Sequence, residues 1–173
     1  INAKITVNGS WKNKSKNIIS FENPCLDGND RLIGKEVVFN KKLNDKPILC
    51  FVGNLNENKG VKLLIDAIKK LPENTIKKLH IVGGGELYDF LDKESLAIKT
   101  PIILHGFIEK QKIAAIYKEA HFMVLPSKSE GFPKVIGEAM NYGCIPIVSN
   151  ISCIGQYVKN NDNGILIDNL DSD

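Results

Sequence analysis

The chain has 173 residues, 43% hydrophobic and 25% charged, enough for one well-packed core and short for two full domains. Its 23 basic and 20 acidic residues are spread along the chain and leave a formal charge of +3, so no electrostatic footprint for nucleic acid stands out. No secretory leader pattern is present and no apolar run approaches the ~18 residues of a spanning helix, so the expectation is a soluble, cytoplasmic protein.

In chain order, Ile5-Thr6-Val7 and Ile18-Ile19-Ser20-Phe21 read as strands, while Asn23-Pro24 and Asp27-Gly28 are turn signals. The Lys-rich residues 11–16 between them read as a solvated basic loop, since no apolar face accompanies them for a membrane surface. Residues 1–46 lack the regular organisation of the rest of the chain, which opens on Ile1, so a piece of a longer protein is expected.

From Pro47 onward, short apolar runs alternate with helical patterns, which predicts a doubly wound α/β sheet with parallel strands. Ile48-Leu49-Cys50-Phe51-Val52 is the first strand, and Val61–Lys70 comes next as a helix with Leu64, Ile65 and Ile68 on one face and Pro72 as its stop. A strand at Leu79 to Val82, a Gly83-Gly84-Gly85 turn and a helix over 86–98 repeat the unit. Ile102-Ile103-Leu104, a helix over 109–120 and Phe122–Leu125 continue it. Pro133 at a first helical position and Gly143 past the end frame the next helix. A strand from Ile145 to Val148, a weak helix over 156–159 and Ile165-Leu166-Ile167 complete six strand candidates of a Rossmann-like domain. The cysteines, Cys25, Cys50, Cys144 and Cys153, make no CxxC pair and read as reduced, mostly buried thiols.

Ligands of open α/β sheets bind beyond the carboxyl ends of the strands, which directs attention to four loops. Residues 53–60, Gly53-Asn54-Leu55-Asn56-Glu57-Asn58-Lys59-Gly60, deliver Lys59 to a helix start, as suits a diphosphate, but match neither GxxxxGK[ST] nor GxGxxG. An ordinary solvated turn explains that loop equally well. Gly83-Gly84-Gly85 ends in Tyr88 where a dinucleotide fingerprint needs Gly, so close backbone approach is its only firm content. His105-Gly106-Phe107 holds a lone His, a residue type more often structural than catalytic. The fourth loop, residues 126–133, runs into a helix and presents Glu130 before its start and Glu138 in its second turn. Spacing alone makes these two charges near a helix terminus, although a carboxylate also suits paired sugar hydroxyls.

Glu130-Gly131-Phe132 followed by Glu138-Ala139-Met140 and Gly143 resembles the E-G-F-x5-E-A-M-x2-G signature of the retaining glycosyltransferase family 4, whose fold is called GT-B. Residues 53–60 resemble that family's G-R-L-x3-K-G loop, Ile81 to Gly85 its I-V-G-x-G, and His105-Gly106-Phe107 its turn after the third strand. Tyr117, Ala120, Pro126 and Ser127 also fit, so the likeness covers about residues 47–168 in order.

The resemblance implies the C-terminal domain of such an enzyme over 47–173, with 1–46 as the end of an N-terminal domain and a linker. That domain would grip a UDP-, GDP- or ADP-linked sugar, with no further cofactor and no metal. Glu138 would hold the ribose, Glu130 would face the donor sugar, and Lys59 would neutralise the diphosphate, making Glu130 and Lys59 the catalytic pair. Gly53, Asn54, Gly84 and Phe107 would line the donor from one side. Gly131, Phe132, Lys134 and Val135 would line it from the other, with backbone amides at the departing phosphate. A glycan or lipid-linked acceptor would bind an N-terminal domain, and the full-length protein would sit peripherally at the inner face of a membrane, in bacterial surface-polysaccharide synthesis.

Three departures stand out: Asn54 where the family has Arg, Pro133 where many members have Gly, and Gln156 where Glu is frequent. Asn54 removes one of two diphosphate cations, which keeps a catalytically silent nucleotide-binding module open as an alternative. A nucleotide-sugar epimerase of the same fold is another. The terminal Asp171-Ser172-Asp173 has DxD form, but a tail position makes a poor metal site.

Overall fold

The structure, a computed structural model, describes residues 4–10, 17–21, 25–43, 46–131 and 133–170. The basic run 11–16, the turn signal Asn23-Pro24, Phe132 and the terminal DxD all lie outside the described residues.

Two short strands, β1 (Ile5–Asn8) and β2 (Ile18–Phe21), pair in parallel as a separate two-stranded sheet. Helix α1 (Gly28–Asn40) comes next, where Asp27-Gly28 signals only a turn in the sequence. Asp27 is its N-cap: the Asp27 carboxylate accepts from the Asp30 amide at 2.7 Å, and the Asp30 carboxylate accepts from the Asp27 amide at 3.3 Å. No continuous apolar stripe reveals this helix in the sequence, because Gly34 is its one buried residue.

The main sheet is built from β3 (Ile48–Val52), β4 (Lys78–Val82), β5 (Ile102–Leu104), β6 (Phe122–Leu125), β7 (Ile145–Ser149) and β8 (Ile165–Ile167). All neighbours are parallel, in the order β5-β4-β3-β6-β7-β8. Every residue of β3 is buried, as a central parallel strand covered on both faces requires. Between the strands run α2 (Val61–Lys70), α3 (Tyr88–Leu96), α4 (Lys110–Glu119), α5 (Lys134–Asn141) and the short α6 (Ile154–Tyr157). The expected Rossmann-like fold is therefore present.

The helices dock by the apolar faces their periodicity predicts. In α2, Val61, Leu64, Ile65 and Ile68 are buried at i, i+3, i+4 and i+7. They join Phe51, Leu79, Ile81, Met123, Leu125 and Ile136 in one core. Helix α1 lies along α5 so closely that a Cβ on Gly34 would come within 2.4 Å of the Asn141 carbonyl oxygen. Behind α1, the Lys41 ammonium donates to the Tyr117 carbonyl at 2.8 Å and the Tyr142 carbonyl at 2.7 Å, closing the carboxyl ends of α4 and α5 with one cation.

Three helix boundaries differ from the sequence reading. Helix α3 begins at Tyr88 rather than 86 because Gly83 and Gly85 carry φ of 134° and 154°, which no helix continues. Pro133 is an N-cap with ψ of 111°, not a first helical residue. The short helix sits at Ile154–Tyr157, earlier than 156–159, and is ended by extended Val158. All four cysteines are free, with Cys50, Cys144 and Cys153 buried. Among the described residues no helix is long and apolar enough to cross a membrane.

Candidate functional site

The strand order fixes where a ligand site belongs. From β3 the chain proceeds outward through β4 and β5, then returns to the other side of β3 with β6 and proceeds outward through β7 and β8. The switch therefore lies between β3 and β6, and the crevice at such a point opens at the strands' carboxyl ends. The loops there are residues 53–60 and 126–133, those carrying Lys59 and Glu130.

These loops are laced together. Lys128 donates its amide to the Asn58 carbonyl at 2.7 Å, and the Asn58 side chain donates to the Ser129 carbonyl at 2.9 Å. Asn56 caps the short 3-10 turn Glu57–Lys59, accepting from the Lys59 amide at 3.0 Å. Gly60, at φ 72°, then lets the chain turn into α2 directly against the Pro126 carbonyl. The outcome is an ion pair: Lys59 Nζ donates to Glu130 Oε1 at 2.5 Å, and the same oxygen accepts from the Ser127 hydroxyl at 2.8 Å. Glu130 is only 7% exposed and Lys59 25%.

Glu138 occupies a different setting. Burial raises its carboxyl pKa, Lys110 and Lys134 pull it down, and Asp30 pushes it up. Among the described residues no hydrogen bond or ion pair engages it. Lys110, the foremost cation in that balance, is instead paired with Asp30 at 2.9 Å. Cys25 packs beside Gly137, so the segment leading into α1 borders this glutamate.

Next to Pro133, the amides of Lys134 and Val135 open α5 without intrahelical acceptors, and no described backbone group takes them. They lie between Glu130 and Glu138 in the chain, at a positive helix end. The Lys134 side chain and Gly131 are exposed, and Val135 is partly buried.

On the far side, Gly83 to Gly85 stitches three loops. The Gly53 amide donates to the Val82 carbonyl at 3.0 Å, Leu55 to Gly84 at 2.9 Å, and Gly83 to Gly106 at 2.9 Å. Asn54 is exposed, and its Oδ1 would lie 2.6 Å from a Cβ on Gly85. Phe107, 85% exposed, rests over Gly84: a Cβ there would lie 2.3 Å from its ring. His105 is hydrogen-bonded through Nε2 to His80 Nδ1 at 2.8 Å, so it is the satisfied histidine that residue statistics favour.

The structure thus brings Lys59 and Glu130 into contact, and sets Gly53, Gly84 and Phe107 in one laced group. Glu138 stays apart from the ion pair. Sequence reasoning missed Lys110 and Asp30 beside Glu138, and missed Ser127 as a partner of Glu130. The Asp27-x-x-Asp30 pattern was the available signal for the first of these. Gln156 has a purpose of its own: its amide accepts from Ser10 N at 2.7 Å and donates to Ser10 O at 2.9 Å, a pairing that Glu could only half make.

The parallel six-stranded sheet flanked by helices matches the GT-B type of Rossmann-like fold seen in its structural neighbours. The family model described as glycosyl transferases group 1 matches residues 34–173, and the chain belongs to that family. It is 34% identical over 145 residues to the UDP-Gal:alpha-D-GlcNAc-diphosphoundecaprenol alpha-1,3-galactosyltransferase of Escherichia coli, covering 80% of this chain and 37% of that protein. An uncharacterized glycosyltransferase of Methanocaldococcus jannaschii is 32% identical over 126 residues, covering 72% of this chain and 32% of its own. The apo lipopolysaccharide outer core galactosyltransferase WaaB superposes with a TM-score of 0.63 at 30% identity, over 72% of this chain and 36% of that one. The S. aureus TarM mutant structure shares the fold with a TM-score of 0.73 at 20% identity, over 98% of this chain and 34% of its own. The chain spans roughly a third of the length of the curated relatives first matched.

Proposed function

We propose that this chain is the C-terminal, donor-binding domain of a retaining family 4 glycosyltransferase, with residues 47–173 as the domain and 1–46 as the end of a preceding domain and its linker. The carrying observation is the Lys59–Glu130 pair, held at 2.5 Å by two loops that meet at the switch point of the sheet. In this reading a nucleoside diphosphate sugar lies across the crevice. Glu138 receives the ribose hydroxyls, the α5 amides of Lys134 and Val135 receive the terminal phosphate, and Glu130 faces the sugar with Gly131 and Phe132.

The chemistry is leaving-group stabilisation. As the glycosidic bond breaks, negative charge grows on the diphosphate, and a fixed ammonium and N–H dipoles lower the energy of that state. Lys59 carries three N–H donors, so it can keep Glu130 oriented while also meeting a phosphate oxygen. Glu130, with Ser127 on the same oxygen, holds the ammonium in place before the donor arrives. Transfer of a hexose to a glycan or lipid-linked acceptor requires the remainder of the protein, at the inner membrane face in surface-polysaccharide assembly. Two relatives at or above 30% identity are named galactosyltransferases, one of them with UDP-Gal in its name, which supports a UDP-linked hexose as the first donor to test.

Exposed Asn54, where Arg is usual, favours a second reading: a module that binds the donor without transferring it. Sugar transfer by a protein that includes this chain eliminates that reading. For the first, UDP, GDP or ADP should raise the melting temperature, and Glu138→Ala should abolish the rise. No response to any of the three at millimolar concentration would refute it.

A further inference from the structure

His80 is an anomaly of β4, a nearly buried imidazole in a strand whose neighbours Leu79, Ile81 and Val82 are apolar core. Both of its ring nitrogens are engaged. Nε2 lies 3.1 Å from Glu119 Oε2 at the end of α4, and Nδ1 lies 2.8 Å from Nε2 of His105, which comes directly after β5. Lys78 Nζ, also on β4, is 2.7 Å from the other Glu119 oxygen. Four side chains from three elements thus form one chain that ends at the turn 105–107.

The chain admits one arrangement of protons when both rings are neutral. Burial, and then the Lys78 charge, lower the pKa of both His80 and His105, which keeps them neutral around pH 7. Glu119 only accepts, so the single N–H of His80 must be on Nε2. Its Nδ1 is then an acceptor, and His105 must donate from Nε2. The imidazole of His105 is fixed in orientation from behind, while its backbone amide donates to the Ile81 carbonyl at 2.9 Å.

The turn so held carries Phe107. The Gly106 carbonyl accepts from the Gly83 amide at 2.9 Å, Gly106 takes φ of 64°, and the Phe107 ring falls over Gly84. A ring supported by backbone beneath it yet 85% exposed is a surface on which a flat base stacks. Lys110, which opens α4 just beyond this turn, acts electrostatically on Glu138, and the turn leads into a helix packed beside the one that carries the glutamate assigned to the ribose. In the donor-site reading, a base joined to that ribose extends toward this turn.

Resting on the donor-site reading above, we propose that His80 is a positioning residue. With Lys78, Glu119 and His105 it holds residues 105–107 so that Phe107 presents a stacking platform to the nucleobase of the donor.

The test separates the base from the diphosphate. Dissociation constants for UDP, GDP and ADP, and for inorganic pyrophosphate by competition, are measured on the wild-type chain, His80→Leu, Glu119→Ala, Phe107→Ala and the His80→Leu/Phe107→Ala double variant. The affinity ratio of nucleotide to pyrophosphate should fall roughly fivefold or more in each single variant, with pyrophosphate binding unchanged. The double variant should be no worse than Phe107→Ala, since His80 acts through that ring. Nitrogen NMR of the wild-type histidines should show both His80 and His105 protonated on Nε2. If His80→Leu does not fold, Glu119→Ala, at the exposed end of α4, carries the comparison. An unchanged ratio in Glu119→Ala, or full additivity in the double variant, overturns the proposal and leaves the donor site intact. Absence of nucleotide binding in the wild type overturns the donor-site reading and this inference together.

Discussion

Lys59 and Glu130, 71 positions apart, share a 2.5 Å ion pair that neither could form without the meeting of two loops at the switch point of the sheet. The family resemblance gives each its own task at the donor, Lys59 at the phosphate and Glu130 at the sugar. Their contact makes them one unit. The carboxylate is 7% exposed, and its compensation comes from Lys59 and the Ser127 hydroxyl alone among the described residues.

Lys59→Met should therefore act twice. A nearly buried carboxylate loses its cation, which costs about 1–3 kcal/mol of stability by chemical denaturation. Nucleoside diphosphate affinity should also weaken, about tenfold or more by calorimetry, since a charge-assisted contact is lost. Unchanged affinity would remove Lys59 from the phosphate site.

Glu138 should show the opposite balance between stability and binding. Its pKa is raised, mainly by burial, so the folded state holds a proton more tightly than the unfolded chain. Its contribution to stability is present below the ordinary carboxylate range and is lost as pH rises through the raised value. At pH 7 the charge is a burden, so Glu138→Gln should melt higher than wild type while nucleotide binding drops. The difference in melting temperature should vanish at acid pH, where both side chains are neutral.

Gly83 and Gly53 are neighbours across the laced loops but differ in need. A Cβ on Gly83 would lie 1.9 Å from the Gly53 carbonyl oxygen, at φ of 134°. One on Gly53 finds nothing nearer than 3.7 Å. Gly83→Ala should cost more than about 2 kcal/mol by denaturant unfolding, whereas Gly53→Ala should stay within about 1 kcal/mol.

Lys41 holds two helix ends with one ammonium. Replacing it by Met takes the ammonium donor from the Tyr142 carbonyl and leaves the Tyr117 carbonyl with the Cys144 thiol at 3.1 Å, and should cost about 1–2 kcal/mol. Nucleotide affinity, measured on the folded fraction, should not change, because the cation closes the carboxyl ends of α4 and α5, away from the loops of the switch point.

Much of the fold was legible because parallel strands buried on both faces are short continuous apolar runs, as at Ile48–Val52, and the intervening helices repeat at 3.6 residues. Helix α1 was not legible: it buries Gly34 rather than a hydrophobic stripe, and it is held by a capping box and by Lys41 beyond its end. The loop positions of Lys59 and Glu130 could be read, but not their contact, which depends on strand order. Nor could spacing reveal the setting of Glu138, since Asp30 and Lys110 come from α1 and α4. His80 was hidden for the same reason; its partners lie 25 and 39 positions away.

The central claim is that one nucleotide sugar spans the Lys59–Glu130 pair and Glu138. A crystal structure of the chain with bound UDP, or with GDP or ADP if that nucleotide binds more tightly, tests this most directly. The ribose should hydrogen-bond to Glu138, and the diphosphate should lie within reach of Lys59 Nζ and the amides that open α5. A nucleotide bound elsewhere, touching neither Lys59 nor Glu138, would contradict it.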